Sequence, residues 1–327
     1  MSKKILVAGA GGFIGGHLVN RLIENGNEVI AVDVKQENDW FQINNKAKNF
    51  FECDLKILKN CEDTINNELD VIINLACNMG GIGFITSYKA ECMLSVLINT
   101  NLLMQAKEKK IKKFFFSSSA CIYPTDIQSD QKSIALKEHT AYPANSEDGY
   151  GWEKLFSERM CKHFFEDFNI EVSVARFHNC YGPNGSWFGG REKAPAALAR
   201  KFVEAKVKNL NEIEIWGNGE QVRSFMYVDD CLDGILKLIE SGFRDPINIG
   251  SSEDVTINQM ADMLENISGI KPKRNYKLDA PRGVFNRNSD NTLINKKLNW
   301  EPSIKLLDGL KITFDWIFKE YKKKYEA

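Results

Sequence analysis

No apolar run in this 327-residue sequence approaches the roughly 18 to 20 residues that a membrane-spanning helix needs. The opening Met-Ser-Lys-Lys leads straight into Ile5-Leu6-Val7-Ala8, too short an apolar stretch for a secretory signal and without a cleavage site, so a cytoplasmic protein with no membrane association is expected. An excess of one charge is also missing. Basic and acidic side chains number 43 and 44, which argues against a nucleic-acid or membrane-surface binder. The clusters Lys109-Lys110 and Lys322-Lys323-Lys324 read as solvated helix ends. The eight cysteines lack any C-x-x-C spacing, so no zinc or other metal site and no disulfide framework is expected. Cys53, Cys77 and Cys180 sit in apolar contexts and read as small core residues. Internal repeats and low-complexity blocks are absent.

What is present is enough apolar material, 43% of residues, for one large core or two joined ones. Val- and Ile-rich runs at 5–7, 28–32, 71–75, 113–117 and 171–176 read as strands. They alternate with segments of helical length and spacing at 13–25, 94–108 and 150–168. Such alternation implies an α/β fold: a Rossmann-type, doubly wound parallel sheet with helices on both faces. After residue 176 the rhythm is less regular. The expected division is a dinucleotide-binding lobe over 1–175, rejoined by the chain near 225–249, and a smaller mixed α/β substrate lobe over 176–327, with the ligand between them.

The first strand runs into Gly9-Ala10-Gly11-Gly12-Phe13-Ile14-Gly15 and then a helix. Gly9, Gly12 and Gly15 give G-x-x-G-x-x-G, where the backbone turns tightly, approaches a pyrophosphate and aims a helix N-terminus at it. Phe13 and Ile14 belong to the same cradle. Asp33, ending the second strand, suits a ribose diol and repels a 2′-phosphate, so NAD is expected rather than NADP. Asp54, after a third strand, is read as an adenine partner, with helix capping as its structural alternative.

Tyr150 and Lys154 stand at i and i+4, neighbours on one helical face. A tyrosine is a poor base at neutral pH unless a cation stabilises its phenolate; Lys154 and a positive nicotinamide ring would do so. The strand before it ends in Ser117-Ser118-Ser119, at the rim where open α/β sheets bind ligands.

With these glycines, Ser119, Tyr150 and Lys154, the chain resembles the extended short-chain dehydrogenases (NAD-dependent epimerases and dehydratases) that act on nucleotide sugars. Longer strings are similar to the members that invert two ring carbons: Met79-Gly-Gly-Ile-Gly-Phe84, Ser118-Ser-Ala-Cys-Ile-Tyr-Pro124, Arg176-Phe-His-Asn179, Gly189-Gly-Arg-Glu-Lys-Ala-Pro-Ala-Ala197, Arg223-Ser-Phe225 and Arg287-Asn-Ser-Asp-Asn291. The resemblance implies that Tyr150 takes the C4 hydroxyl proton while hydride passes to NAD. Cys121 and Lys193 would then exchange protons at C3 and C5 of the 4-keto sugar before C4 is reduced again. It further implies that Asn179, Glu192, Lys193, Ala194, Lys201, Gln221, Arg223 and Arg287 contact the nucleotide sugar. Gly81 and Ser119-Ala120-Cys121 would line the sugar, and a homodimer is implied. Arginine suits the diphosphate because its planar fork grips in two places. A thiol and a desolvated lysine can both be tuned toward neutrality, and small glycines would leave the ring room to turn.

Asn78 stands where that pattern has an acid, Phe188 where it has a base, and Phe285-Asn286 where it has Arg-Gly. These departures bear on which sugar is bound, a heptose or deoxysugar among them. A nucleotide-sugar 4-dehydrogenase or single-carbon epimerase would share Tyr150, Lys154 and NAD without needing both Cys121 and Lys193. A 4,6-dehydratase would have an Asp-Glu pair where Ala120-Cys121 stands. An NAD-sensing regulator that is no enzyme would have no use for the Tyr/Lys pair, and fold alone decides none of this.

Overall fold

The computed structural model describes residues 2–40, 42, 49–129, 135–281 and 283–325. Seven strands form one sheet: β1 (Lys4–Ala8), β2 (Glu28–Asp33), β3 (Asn49–Glu52), β4 (Val71–Asn74), β5 (Lys113–Ser119), β6 (Glu171–Phe177) and β7 (Ile247–Ile249). All pairings are parallel, in the order β7-β6-β5-β4-β1-β2-β3. The seven long helices are α1 (Phe13–Glu24), α2 (Val96–Glu108), α3 (Tyr150–Phe168), α4 (Ala194–Lys208), α5 (Val228–Ser241), α6 (Ile257–Ser268) and α7 (Leu306–Tyr325).

Alternation along each strand divides the sheet between two cores. Ile5, Val7, Val29, Ala31, Val71, Ile73 and Phe115 pack with Leu18, Val19 and Leu22 of α1, Leu232 and Ile235 of α5, and residues of α4, α6 and α7. Their neighbours Leu6, Ala8, Ile30, Val32, Ile72, Phe114 and Phe116 face the other way, onto Ile98, Leu102 and Leu103 of α2 and Cys161 of α3. A parallel sheet covered on both faces needs apolar residues at every position, which explains the unbroken Val/Ile runs. β5 extends two residues beyond the expected 113–117, carrying Ser118 and Ser119 into the ladder beside Arg176 and Phe177 of β6.

The strand order reverses beside β1, whose two neighbours are β2 and β4. Ligands of open α/β sheets bind at the carboxyl ends of strands flanking such a switch point. Gly9, Asp33, Ser119 and Phe177 all sit at or just past those ends. Above them the later part of the chain builds small sheets. Val222–Ser224 pairs with Asp254–Thr256 and with Asn286–Arg287, and Glu212–Trp216 pairs with Lys273–Lys277. A buried polar network fastens the layers behind Ser119: Glu158 of α3 binds Arg176 at 2.8 Å and accepts from Ser118, and Tyr123 Oη donates to Asn248 Oδ1 of β7 at 2.6 Å.

Candidate active site

The glycine turn after β1 is shaped for a dinucleotide. Gly9 has φ +83°, and a Cβ there would lie 2.8 Å from the Ala76 amide nitrogen; a Cβ at Gly15 would collide with the Gly9 carbonyl oxygen. No side chain caps α1 at Gly12, so the first-turn N–H groups of Phe13, Ile14 and Gly15 are available to a phosphate. The Phe13 ring itself points away, onto Gly185 and His17. Asp33 accepts from the Gly11 and Lys35 amides at 2.8 and 3.0 Å, which fixes its carboxylate and leaves lone pairs for a ribose diol. Asp54 accepts from the Lys56 amide at 2.9 Å. It does not cap the following helix, whose N-cap is Ile57. Trp40 lies across this cradle, its indole against Gly11, a placement the sequence did not signal.

A cleft of about 330 Å³ opens beside the cradle, lined by Ser119, Ala120, Cys121, Tyr150, Gly81, Asn179, Glu192, Lys193, Ala194, Lys201, Gln221, Arg223 and Arg287. Three devices bring its walls together. Ser119 Oγ accepts from the Cys121 amide at 3.2 Å, capping the short helical turn over Ala120–Ile122. The Glu147 amide donates to the Cys121 carbonyl at 3.0 Å, and a Cβ at Gly151 would collide with that same carbonyl, so α3 starts in contact with the cysteine turn. Across the cleft, Lys193 is the N-cap of α4, and the preceding loop is tied down where Arg191 Nη1 donates to Asn78 Oδ1 and the Met79 carbonyl, both at 3.1 Å. The amide oxygen of Asn78 thus serves where an acid was expected.

Gly81 lines the cleft and also meets a backbone: a Cβ there would stand 2.5 Å from the Glu192 carbonyl oxygen, so its smallness lets the two main chains touch. Phe188, in place of a base, receives Lys324 Nζ over its ring at 3.1 Å. Cys53 and Cys77 are half-buried rather than core residues, whereas Cys180 is buried; all eight thiols are free.

The electrostatics also depart from expectation. Burial pushes the Tyr150 phenol well above its ordinary value, with Cys77, Cys121 and Glu153 adding to the shift and Ser119 opposing it. Lys154 Nζ lies 5.7 Å from the Tyr150 ring centroid, 4.7 Å over Phe116, and 3.8 Å from Glu153 Oε2. Burial acts against its charge, but Cys77, Glu153 and Cys161 hold its ammonium above the usual range. The Cys121 thiol is pushed up to about 11, by burial first and Glu147 second, against the pull of Arg287; it is not tuned toward neutrality at rest. The arginine forks are engaged by protein. Arg223 donates to the carbonyls of Val222, Val284 and Phe285, and Arg287 to Gln128, Cys121 and Glu147. Asn179, at φ +38°, donates to the Ser224 carbonyl at 3.1 Å. Glu192 accepts from the Gly190 amide and Arg200, and Lys201 donates to the Glu214 carbonyl at 2.8 Å. Gln221 keeps a buried oxygen without a partner. Glu147, Trp216 and Glu214 also line the cleft; no spacing or motif distinguishes them along the chain.

Residues 5–250 match the model of the NAD dependent epimerase/dehydratase family. The GDP-mannose 3,5-epimerase 1 of Oryza sativa subsp. indica is 44% identical over 322 residues, covering 98% of this chain and 83% of that protein. The GDP-mannose 3,5-epimerase of Arabidopsis thaliana is likewise 44% identical, over 98% of this chain and 84% of its own length. Among solved structures, the UDP-glucose 4-epimerase of Thermotoga maritima with UDP-glucose superposes with a TM-score of 0.86 at 27% identity, covering 97% of this chain and 99% of that one.

Proposed function

The chain belongs to the NAD dependent epimerase/dehydratase family, and from that premise we propose that it is a 3,5-epimerase of GDP-mannose or a closely related GDP-hexose. The reading rests on one observation: a single cleft lined by Ser119, Cys121, Tyr150 and Lys193, in a chain 44% identical to enzymes named for that reaction. NAD, held by the Gly9–Gly15 turn, Asp33 and the Asp54 region, supplies the redox capacity by which C4 is oxidised and restored.

Tyr150 takes the C4 hydroxyl proton, and Ser119 orients that hydroxyl. Burial keeps the phenol protonated at rest even with the Lys154 ammonium on the same helix face; the positive nicotinamide ring of bound NAD would add the further charge that lets its proton leave. A ketone at C4 makes the neighbouring C3 and C5 hydrogens acidic. Cys121, on the turn after β5, and Lys193, ahead of α4, exchange those protons as general acid and base. Asn179, Glu192, Ala194, Lys201, Gln221, Arg223 and Arg287 hold the nucleotide sugar, and Gly81 and Ala120 shape its wall. Because Arg223 and Arg287 already hold protein carbonyls and side chains, they act on the ligand as positive charges in the cleft wall rather than through an open fork.

The same proposal assigns the NAD lobe to 1–175, rejoined near 225–249, and the sugar lobe to 176–327. A homodimer is part of it: Leu97 and Met104 of α2 and Trp152 and Phe156 of α3 form exposed apolar stripes on adjacent helices, an area that a second copy would cover. A reducing, cytoplasmic setting suits an enzyme that works through the free thiol of Cys121.

Incubation with GDP-mannose in deuterated water, followed by NMR and by NADH absorbance, tests the reading. Deuterium at both C3 and C5 with inverted products is expected. Deuterium at one carbon would restrict the enzyme to a single site, and NADH accumulation without exchange on any nucleotide sugar would replace the proposal with a 4-dehydrogenase.

A further inference from the structure

The carboxylate of Glu147 has no part in the proton exchanges proposed above, yet it lies within the same cluster as Cys121. Arg287 Nη1 stands 3.1 Å from Cys121 Sγ and 3.1 Å from Glu147 Oε2. The guanidinium is anchored from behind through Nε, 2.7 Å from Gln128 Oε1. Gln128 in turn gives its amide nitrogen to the carbonyls of Tyr123 and Pro124 at 3.0 and 2.9 Å. Arg287 cannot swing off the sulfur without breaking this chain of contacts. The Glu147 amide, bonded to the Cys121 carbonyl, keeps carboxylate and thiol on segments pinned together.

We infer that Glu147 is a positioning residue for proton exchange at Cys121: it holds Arg287 against the sulfur and, by neutralising that guanidinium, sets how readily the thiol ionises. The inference rests on the reading that Cys121 exchanges ring protons. When the thiolate takes such a proton, the C–H bond breaks, an S–H bond forms, and the electron pair passes into the enolate of the 4-keto sugar. When the thiol returns a proton, the same bonds change in reverse. In either direction the sulfur is an anion on one side of the step, and a guanidinium in contact with it stabilises that anion while a carboxylate beside it does the opposite.

The balance in the resting site follows from these neighbours. Burial and Glu147 together outweigh Arg287, leaving Cys121 protonated. The Glu147 carboxyl lies below its usual range: burial would raise it, but Arg287 and the hydrogen bond to Cys121 prevail. The other titratable groups around the thiol are Tyr150 of α3, Arg223 of the strand Val222–Ser224, and the thiols Cys92 and Cys77 of the same apolar cluster. Ser119 accepts from the Cys121 amide and, by hydrogen bonding, favours the ionised thiol, and Lys193 lines the same cleft. Among these, Glu147 is the carboxylate whose removal tips the balance toward thiolate. The arrangement keeps a reactive sulfur from standing ionised in a cleft that water and electrophiles can enter.

The test measures iodoacetamide alkylation of Cys121 against pH in the full-length, NAD-loaded protein, read by mass spectrometry of the peptide that carries it. Glu147→Gln, which keeps a hydrogen-bonding amide but loses the charge, should move the inflection down by about one pH unit and speed alkylation at neutral pH about tenfold. Glu147→Asp, with its carboxylate drawn back by one methylene, should move it down by less. An inflection identical to the parent's in a Glu147→Gln protein that retains NAD overturns the inference; if that variant does not retain NAD, an unchanged inflection in Glu147→Asp overturns it equally. Alkylation reads the thiol and not turnover, so a parent protein inactive on GDP-mannose would sink the substrate assignment and leave this measurement interpretable.

Discussion

Tyr150 and Cys121 are both buried, 4% and 8% exposed, and both are shifted toward their protonated forms, but the reaction asks different things of them. Tyr150 acts at C4, before and after any carbon is inverted, whereas Cys121 acts only in between. Tyr150→Phe removes one hydroxyl from a packed site and should cost about two orders of magnitude or more in both C4 oxidation and proton exchange, with little change in melting temperature. Cys121→Ala should separate the two activities, leaving NADH formation on GDP-mannose measurable and deuterium uptake lost; full epimerisation by that variant would remove Cys121 from the mechanism. The Tyr/Lys spacing was legible because i and i+4 meet on any helix. Glu147 was not, because an acid in a loop carries no periodicity, and its relation to Arg287 exists only once residues 140 apart in sequence meet.

The elements that matter most are those whose contacts set the spacing between reacting groups. Helix α3 and the Ala120–Ile122 turn touch through Gly151, where any Cβ would run into the Cys121 carbonyl. Gly151→Ala should therefore push the turn away from Tyr150, lowering stability by roughly 1–3 kcal/mol and reducing deuterium exchange. Gly83→Ala is the matching control: its methyl would meet only Trp216, at 3.7 Å, and the melting temperature should stay near the parent's. At this scale the sequence was informative about the long strands and helices, where apolar runs and 3.6-residue spacing repeat often enough to be seen. It was poor for the small sheets of the later half, whose strands are two to five residues long. Segments that short carry no readable alternation, and their partners, such as Val222–Ser224 with Asn286–Arg287, are remote along the chain.

For the molecule as a whole, the two cores lie on opposite faces of one sheet, and the helix pair α2 and α3 presents its outer apolar stripes to solvent. Phe156, 58% exposed, is the most open of these side chains. Phe156→Glu should convert a dimer into a monomer in size-exclusion chromatography with light scattering, since a charge buried in an apolar interface without a partner is costly. An unchanged elution mass in both parent and variant would remove α2 and α3 as the dimer face.

The sequence by itself determined the doubly wound parallel sheet, the dinucleotide cradle and the helix bearing Tyr150 and Lys154. These depend on local periodicity, on glycines that alone tolerate a close backbone approach, and on neighbours a few residues away. Only the tertiary structure decided the state of the cleft. It set the Cys121 thiol at about 11, turned the arginine forks onto protein, and made Gly81 a point of backbone contact. The acidity of a thiol is the sum of its burial and of charges brought close from anywhere in the chain, and for Cys121 the cation in contact with the sulfur comes from a residue 166 positions away.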